Sequence, residues 1–441
     1  MRMALHPGRA SRRLDLLAAS FFALAFAPAA GAQGANDYGS VYSRFAVGER
    51  ADFGSPNAAA MGGAGAVSLG GPLNFAVENP ALIADLALTG FMAGADARTI
   101  GAEDAAGATA RSSAGGLTAL ALVLPLVPER VGISVSLTPY SRVNYRVIQE
   151  DSVAIPGQGN EAFRLNFEGG GGLYRLRTGL GVRPAPRLRV GASADLLFGH
   201  IDYLQRTEFP NSGTLQEVQI GRATNLSGIT ATLGAAYRAP AGAGRHLSLG
   251  ATLTLPAHLS GSRVRTLGSS LDQDTLAAPA DGDVTLPLSV RAGAGFTGTR
   301  WSFAAEGLYE PWSEFESDFE WGGYSPSGGA TGLNDRLRVG AGMQVFPGGG
   351  DRMAGFIGRT AFRLGAYTES ALAGPGGEDI RATALTGGLS LPTLFPGARF
   401  DIGVEAGVRG STDGGLVRDQ FFRGTVTLTF GERWFIRRRI G

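Results

Sequence analysis

The sequence predicts an all-β protein: a transmembrane antiparallel β-barrel of about 14 strands with an N-terminal plug, or hatch. Three observations lead to this fold class. Apolar and polar residues alternate with a period of two through most of the chain, short and long connections alternate between these stretches, and the N-terminus has the pattern of an export signal. We divide the chain into a signal peptide over residues 1–32, a periplasmic or lumenal hatch over 33–85, and a barrel over 86–441.

The export signal is the first element. Arg2, Arg9, Arg12 and Arg13 form a basic region, an apolar stretch follows, and Ala30-Gly31-Ala32 resembles a cleavage site. The apolar stretch is too short to span a bilayer comfortably, so the alternative of a retained membrane anchor is less favoured.

Composition narrows the destination and the chemistry. The chain has no cysteine, which excludes disulfides, thiolate metal sites and a lipidated cysteine. Only 17% of residues are charged, 69 are glycine and the net charge is +1, so we expect no nucleic-acid partner. The part after the signal has no run of roughly 18 uncharged apolar residues, so a membrane must be crossed by strands.

Alternating segments define the barrel. In residues 131–138, Val131, Ile133, Val135 and Leu137 share one face, and Gly or hydroxyl residues occupy the other. Candidate strands cover residues 86–99, 113–126, 131–147, 162–182, 188–207, 219–238, 246–266, 283–296, 301–318, 334–345, 354–368, 381–391, 399–410 and 420–436. The lengths fit tilted membrane strands better than a soluble sandwich.

Connections and aromatic residues orient the barrel. Short turns rich in Pro and Gly alternate with longer polar loops, as periplasmic turns and extracellular loops do, and this places both mature ends in the periplasm. Aromatic residues near both strand ends predict two interfacial girdles. We therefore expect a multi-pass protein of the outer membrane of a Gram-negative bacterium, in contact with its lipids.

Residues 33–85 lack clean alternation and contain many small side chains. A wide barrel would otherwise leave an aqueous hole, so we expect this segment to plug the lumen. The candidate hatch motif consists of Met61, Gly62, Gly63, Gly65, Asn79, Pro80 and Ala81.

This motif, followed by the first strand, resembles the FadL/TodX family of outer-membrane transporters for long-chain fatty acids and other hydrophobic compounds. The resemblance implies passive uptake: capture among the extracellular loops, an apolar pocket inside the barrel, and sideways release through a gap in the wall. Tyr42-Ser43-Arg44-Phe45 and the basic C-terminal end also resemble a divergent branch that includes PorV, which implies an alternative role as a secretion or assembly adaptor with a protein partner.

Candidate ligand-capture residues cluster in loop 319–333 and beside it: Phe315, Phe319, Trp321 and Tyr324. Their aromatic side chains suit a site for hydrophobic, fatty-acid-like small molecules, although an interfacial girdle has the same composition. Glycines 169–172 predict either a bulge in the wall or room for the hatch.

Catalytic and metal-binding patterns are weak. His246 and Ser248 share a strand face, as in a barrel phospholipase, but they follow a turn placed on the periplasmic side. His200 and Asp202 suit a rim pair better than a metal half-site. A solvated loop face explains Glu306, Glu310, Glu314 and Glu316 better than calcium does. We expect no enzymatic activity, no cofactor and no metal; a water-filled porin is the remaining alternative.

Overall fold

The structure is a computed structural model, which describes residues 38–51, 55–67, 73–75, 77–155, 159–212, 215–242, 244–269, 272–328, 332–351, 353–370, 380–393, 395 and 397–434. The predicted signal peptide, residues 1–32, lies outside the described residues. Within them, no helix is long and apolar enough to cross a bilayer.

Fourteen antiparallel strands form a closed barrel, which confirms the predicted fold class and strand number. Ten are continuous: β1 (Thr89–Glu103), β2 (Thr109–Val127), β4 (Gly159–Ala185), β5 (Leu188–Glu208), β6 (Val218–Pro240), β10 (Arg336–Val345), β11 (Ala361–Ser370), β12 (Arg381–Pro392), β13 (Ala398–Arg409) and β14 (Arg418–Glu432). Four have two or three segments: β3 (Val131–Pro139, Tyr145–Ile155), β7 (His246–Thr254, Ala257–Gly268), β8 (Gln273–Thr275, Ala280–Leu286, Ser289–Thr297) and β9 (Trp301–Glu310, Glu316–Ser317).

Each strand pairs with its neighbours in sequence, and the last strand closes on the first. Thr89 of β1 pairs with Glu432 of β14, and this ladder continues to Glu103 opposite Arg418. A closed ladder satisfies backbone groups that an open sheet would expose to lipid.

The wall has an apolar exterior and a polar interior. In β13, Val404 and Val408 are exposed on the outside, while Asp401, Glu405 and Arg409 are buried inside. In β5, exterior positions are apolar over the eleven residues from Leu188 to Phe198. Such a stretch is about 33 Å long at about 3.3 Å per residue, and tilted strands reduce this to about 25 Å along the membrane normal. This height matches the apolar band of a membrane barrel.

Only some of the aromatic residues predicted to form the two girdles are exposed on the outside of the barrel. At the turn end, Trp301 and Trp434 are exposed, and at the loop end so is Tyr309. In contrast, Tyr140 and Trp312 are buried, because their positions in the chain direct the rings into the lumen. Most loop-end aromatic residues therefore build an interior cluster.

Short helices lie mostly outside the wall ladder. The α-helices are α1 (Pro56–Ala59) and α2 (Phe356–Arg359); 3-10 helices cover Val41–Arg44, Pro80–Asp85, Trp312–Glu314 and Asp413–Gly415. Helix α2 replaces the start of the strand predicted over 354–368, and β11 begins only at Ala361. Strands also run further into several predicted loops, as where β1 and β2 extend to Glu103 and Thr109.

The described residues of the hatch, 38–51, 55–67, 73–75 and 77–85, lie inside the barrel, and glycines on the wall make room for them. A Cβ at Gly342 would lie 2.6 Å from Met61 Cα, and one at Gly132 would lie 2.6 Å from the Ile83 carbonyl oxygen. Real Cβ atoms do not approach so closely, so a larger residue would displace the hatch backbone. The abundance of glycine thus follows in part from a lumen filled with main chain.

Substituting Gly342→Ala is expected to lower the midpoint of thermal unfolding in detergent micelles, since overpacking costs about 1–3 kcal/mol. Gly424→Ala is the matched control, because a Cβ there would meet no atom within 4 Å. Circular dichroism during heating measures both. Equal midpoints for the two variants would contradict the tight fit of hatch and wall.

Candidate functional site

The turn at Met61 explains the small-residue part of the hatch motif. Gly62 and Gly63 have φ angles of 67° and 94°, which favour glycine. The Gly62 N–H donates to Thr386 Oγ1 at 3.0 Å, and a Cβ on Gly62 would lie 2.7 Å from the Ala341 carbonyl oxygen. The motif therefore permits a tight turn pressed against β10 and β12.

Asn79 joins two parts of the hatch to the wall. Its Oδ1 accepts from the Ala81 N–H at 3.0 Å and caps the 3-10 helix that begins at Pro80. Its Nδ2 donates to the carbonyl oxygens of Ala66 at 2.8 Å and Ala235 at 3.3 Å. Asn79 is fully buried, so each of these bonds replaces one with water.

Glu306 anchors the hatch by a charge. One carboxylate oxygen accepts from the Gly65 and Ala66 N–H groups at 2.8 and 2.6 Å, and the other accepts from Arg291 at 2.6 Å. The interpretation of Glu306 and Glu310 as a solvated face is wrong, since both are buried in the lumen. Strand alternation puts both on the inward face of β9.

A layer of ion pairs crosses the lumen on the loop side of this turn. Glu49 of the hatch pairs with Arg98 at 2.8 Å and Arg409 at 2.6 Å. Arg50 pairs with Glu310 at 3.1 Å. We call Glu49, Arg50 and their wall partners the ionic layer. The pairing with Arg98 and Arg409 holds the pKa of Glu49 below its usual range against the effect of burial.

Glu78 is a second carboxyl group of the hatch, and it has fewer partners than Glu49. Glu78 Oε1 accepts from the Ser55 N–H at 2.7 Å, while its Oε2 is buried without a hydrogen-bond partner among the described residues. Burial raises the pKa of Glu78 above its usual value, although Arg291 opposes this shift.

The third wall strand bends into the lumen. Between the two segments of β3, Arg142 pairs with Glu49 and Ser141 with Arg50 in a two-stranded antiparallel ribbon, which we call the inner ribbon. Glycines on β4 permit the bend, because Gly171 and Gly172 have φ angles of 95° and 142°, and a Cβ at Gly172 would lie 3.0 Å from Arg142 Cα. The glycine run thus makes room for the inner ribbon, and the predicted bulge is absent, since pairing with β5 continues without a shift from Gly169 opposite Tyr203 to Gly172 opposite His200.

The bend leaves a seam in the wall. β2 pairs with β3 only from Leu120 opposite Leu137 to Val127 opposite Val131. Beyond this point β2 pairs with β1 alone, and the second segment of β3 pairs with β4 alone. Among the residues that the structure describes, no pairing joins residues 109–117 to 145–155; this gap is the seam.

Arg142 closes the base of the seam. Its guanidinium donates to both carboxylate oxygens of Asp96, at 3.0 and 2.8 Å, and to the Leu117 carbonyl oxygen at 2.6 Å. A side chain of the inner ribbon thus satisfies a main-chain acceptor on the free edge of β2. Nothing in the sequence pattern signalled this role.

The loop end of the lumen contains a large apolar cluster, which includes all four predicted ligand-capture residues. Phe315, Phe319 and Trp321 are buried in it, and Tyr324 packs against it partly buried. Phe315 and Tyr324 meet edge to face at 5.1 Å between ring centroids. We call this set the upper cluster; it also contains Val143 and Tyr145 beside the seam.

The chain's own N-terminal segment occupies the middle of the upper cluster. Phe45, Ala46 and Val47 are buried there, and the Ala46 N–H donates to the Gly322 carbonyl oxygen at 3.0 Å. The Tyr42 hydroxyl bonds to the Val417 carbonyl oxygen and accepts from its N–H. In this state the predicted capture residues contact protein, and their binding of a ligand stays a prediction.

The two histidine pairs singled out from the sequence lie in different surroundings. Ser248 Oγ is buried and has no hydrogen-bond partner among the described residues, so no hydrogen bond joins it to His246. His200 Nε2 lies 2.8 Å from Asp202 Oδ2 on the exterior near the loop end. Across the ranges that the structure covers, no three His, Asp or Glu side chains converge as metal ligands.

Solved structures share this architecture at low identity. The monoaromatic hydrocarbon channel CymD is 16% identical with a TM-score of 0.54, and the alignment covers 88% of this chain and 99% of CymD. The toluene transporter TbuX of Ralstonia pickettii is 16% identical with a TM-score of 0.57, covering 87% and 99%. A FadL homologue of Pseudomonas aeruginosa is 12% identical with a TM-score of 0.57, covering 86% and 99%.

This chain is therefore a FadL-like barrel, and the resemblance inferred from the hatch motif is confirmed for the fold. The profile of the BamG family matches residues 16–441, so the chain belongs to the BamG family. No curated protein matches the sequence.

Removing the Asn79 side chain is expected to destabilise the hatch. Asn79→Ala loses the cap, worth about 1 kcal/mol, and leaves the buried Ala66 carbonyl oxygen without its Nδ2 donor, at about 1–3 kcal/mol more. Asn79→Asp keeps the cap acceptor but loses the Nδ2 donors, so its loss should be intermediate. Unfolding in urea measures the order wild type, Asp, Ala; indistinguishable stabilities would refute the role given to Asn79.

Proposed function

We propose that this protein is an outer-membrane transporter for the passive uptake of hydrophobic compounds, such as aromatic hydrocarbons or long-chain fatty acids. The observation that carries the proposal is the position of the seam, which opens the wall beside the upper cluster. An apolar interior next to a lateral gap suits a ligand that leaves the barrel into lipid.

The exterior apolar band and the export signal support a location in the outer membrane of a Gram-negative bacterium. With the short turns in the periplasm, the upper cluster and the seam lie toward the cell surface. A compound arriving from outside would thus meet the aromatic loop residues first.

The side chains that line each layer of the lumen determine the route that we propose for the ligand. The upper cluster is lined by aromatic and aliphatic side chains, which suit a hydrophobic ligand. Below it, the ionic layer would have to lose hydrogen-bonded charge pairs to admit an apolar molecule, at a high cost in desolvated charge. The ionic layer therefore acts as a floor, and the ligand turns sideways past Val143 and Tyr145 to the seam.

Entry requires the N-terminal segment to move. Phe45 and Val47 fill the volume in which a ligand would contact Phe319 and Trp321. A ligand that binds better where this segment has withdrawn would shift the protein toward that state. Diffusion down a gradient then needs no energy source.

The class of ligand is proposed from the lining and from the similar structures. Phe315, Phe319, Trp321 and Tyr324 supply ring faces for an aromatic or aliphatic molecule. The similar solved structures include a monoaromatic hydrocarbon channel and a toluene transporter. We favour aromatic hydrocarbons, with fatty acids as the longer alternative.

A second candidate function is a secretion or assembly adaptor with a protein partner. Two observations favour it: the upper cluster is already filled by the chain itself, and Met353, Phe356 and Ile357 are strongly exposed on the turn between β10 and β11. An apolar patch on a periplasmic turn suits contact with a protein or with the membrane surface.

Blocking the seam tests the transporter. The chain has no cysteine, so Ser113→Cys on the free edge of β2 accepts a bulky maleimide at one site. Labelling is expected to reduce toluene uptake by cells to the level of an empty vector, since it obstructs lateral exit. The matched control is labelled Thr368→Cys, an exposed residue on the exterior of β11.

Uptake that is the same with and without the label at Ser113→Cys would contradict lateral release. Wild-type uptake no higher than that of the empty vector, for both toluene and oleate, would reject transport and favour the adaptor.

A further inference from the structure

A broad groove lies on the outer surface of the wall, across the loop ends of β4 to β7. It has a volume of about 780 Å³, lies on the β4 side of β3, and reaches inward to Ser141 and Arg142 of the inner ribbon. Its depth comes from the inward bend of β3 and from backbone at Gly172, Gly199 and Gly261, where no side chain fills the surface.

The groove begins where the apolar band ends. On β6, the exposed exterior residues Leu233 and Ile229 are followed toward the loop end by Ser227 and Asn225. On β5, Phe198 is followed in the same way by His200. The groove therefore lies at the height of the lipid headgroups in the outer leaflet, facing the membrane and not the lumen.

Cross-strand register arranges its polar groups in rows. Asn225 lies opposite His200 on one side and Ser262 on the other, and Ser227 lies between Phe198 and Ser260 in the same way. A row of an imidazole, an amide and a hydroxyl thus runs beside a row with two further hydroxyls.

The ends of this surface add a charge and an aromatic platform. His200 Nδ1 lies 2.8 Å from Asn225 Oδ1, and Nε2 lies 2.8 Å from Asp202 Oδ2. The rings of Tyr174 and Phe198 stack at 6.2 Å and are both exposed at the lower edge. Amide, carboxylate and hydroxyl groups next to an aromatic face match a sugar ring, which has hydroxyls on its edge and C–H groups on its faces.

We propose that this groove binds the saccharide headgroup of lipopolysaccharide in the outer leaflet. A hydrocarbon in the groove would remove water from the hydroxyl groups of Ser227, Ser260 and Ser262 without replacing its hydrogen bonds, which is unfavourable. A sugar headgroup replaces the lost water bonds, and its acyl chains lie along the apolar band below. The proposal requires only the membrane orientation and is independent of transport.

The test uses the full chain, purified in detergent, and native mass spectrometry with Kdo2-lipid A as the probe. Phosphatidylglycerol, an anionic lipid without such a sugar, is the comparator. Wild type is expected to bind the lipid A probe about tenfold more tightly than the comparator, and His200→Ala with Asn225→Ala is expected to lose about that factor through missing hydrogen bonds. The matched control, Thr368→Ala with Thr383→Ala, removes two exterior hydroxyls on β11 and β12 and should bind as wild type.

A second variant tests the proposal if the first variant does not fold. Ser227→Leu with Ser260→Leu extends the apolar band upward, so the barrel should insert, and lipid A binding should still fall about tenfold because the hydroxyl row is gone. Equal affinity for the two lipids, or equal loss in groove and control variants, would overturn the proposal.

Discussion

The inner ribbon is the constraint on which the rest of the structure depends. Pairing of Glu49 and Arg50 with Ser141 and Arg142 pulls the third wall strand into the lumen. The same four residues carry the charges and hydroxyl that meet Asp96, Glu310, Arg409 and the Val47 carbonyl oxygen. One short contact between hatch and wall therefore produces the seam, the ionic layer and the separation of an apolar upper lumen from a polar lower one.

Different kinds of interaction fill the lumen at different heights. Aromatic packing fills the loop end, charge pairs cross the middle, and main chain presses against glycine toward the turn end. The buried charges of the ionic layer are stable because Glu49 and Arg50 each pair with an opposite charge on the wall. This layering supports the proposed lateral route for apolar compounds.

Sequence alternation predicted the fold well because lipid outside and a polar lumen inside impose opposite demands on successive residues. Glu306 and Glu310 lie four residues apart, so alternation places them on one strand face, and both point inward. Assigning them to a solvated loop face ignored this rule and was wrong. The hatch motif was found as a pattern, but the partners of Asn79 and Gly62 lie far along the chain. The inner ribbon involves only two residue pairs, too few for a periodic signal, so Arg142 could not be singled out.

Hydrogen–deuterium exchange of the full chain in lipid nanodiscs tests the central claim most directly. Residues 109–117 of β2 have one paired edge, whereas residues 419–427 of β14, also at the loop end, pair with both β1 and β13. We expect fast exchange of alternate amides in 109–117, where they face the seam, and protection in 419–427. Equal protection of the two segments would mean that β2 and β3 pair along their full length and that the wall has no seam.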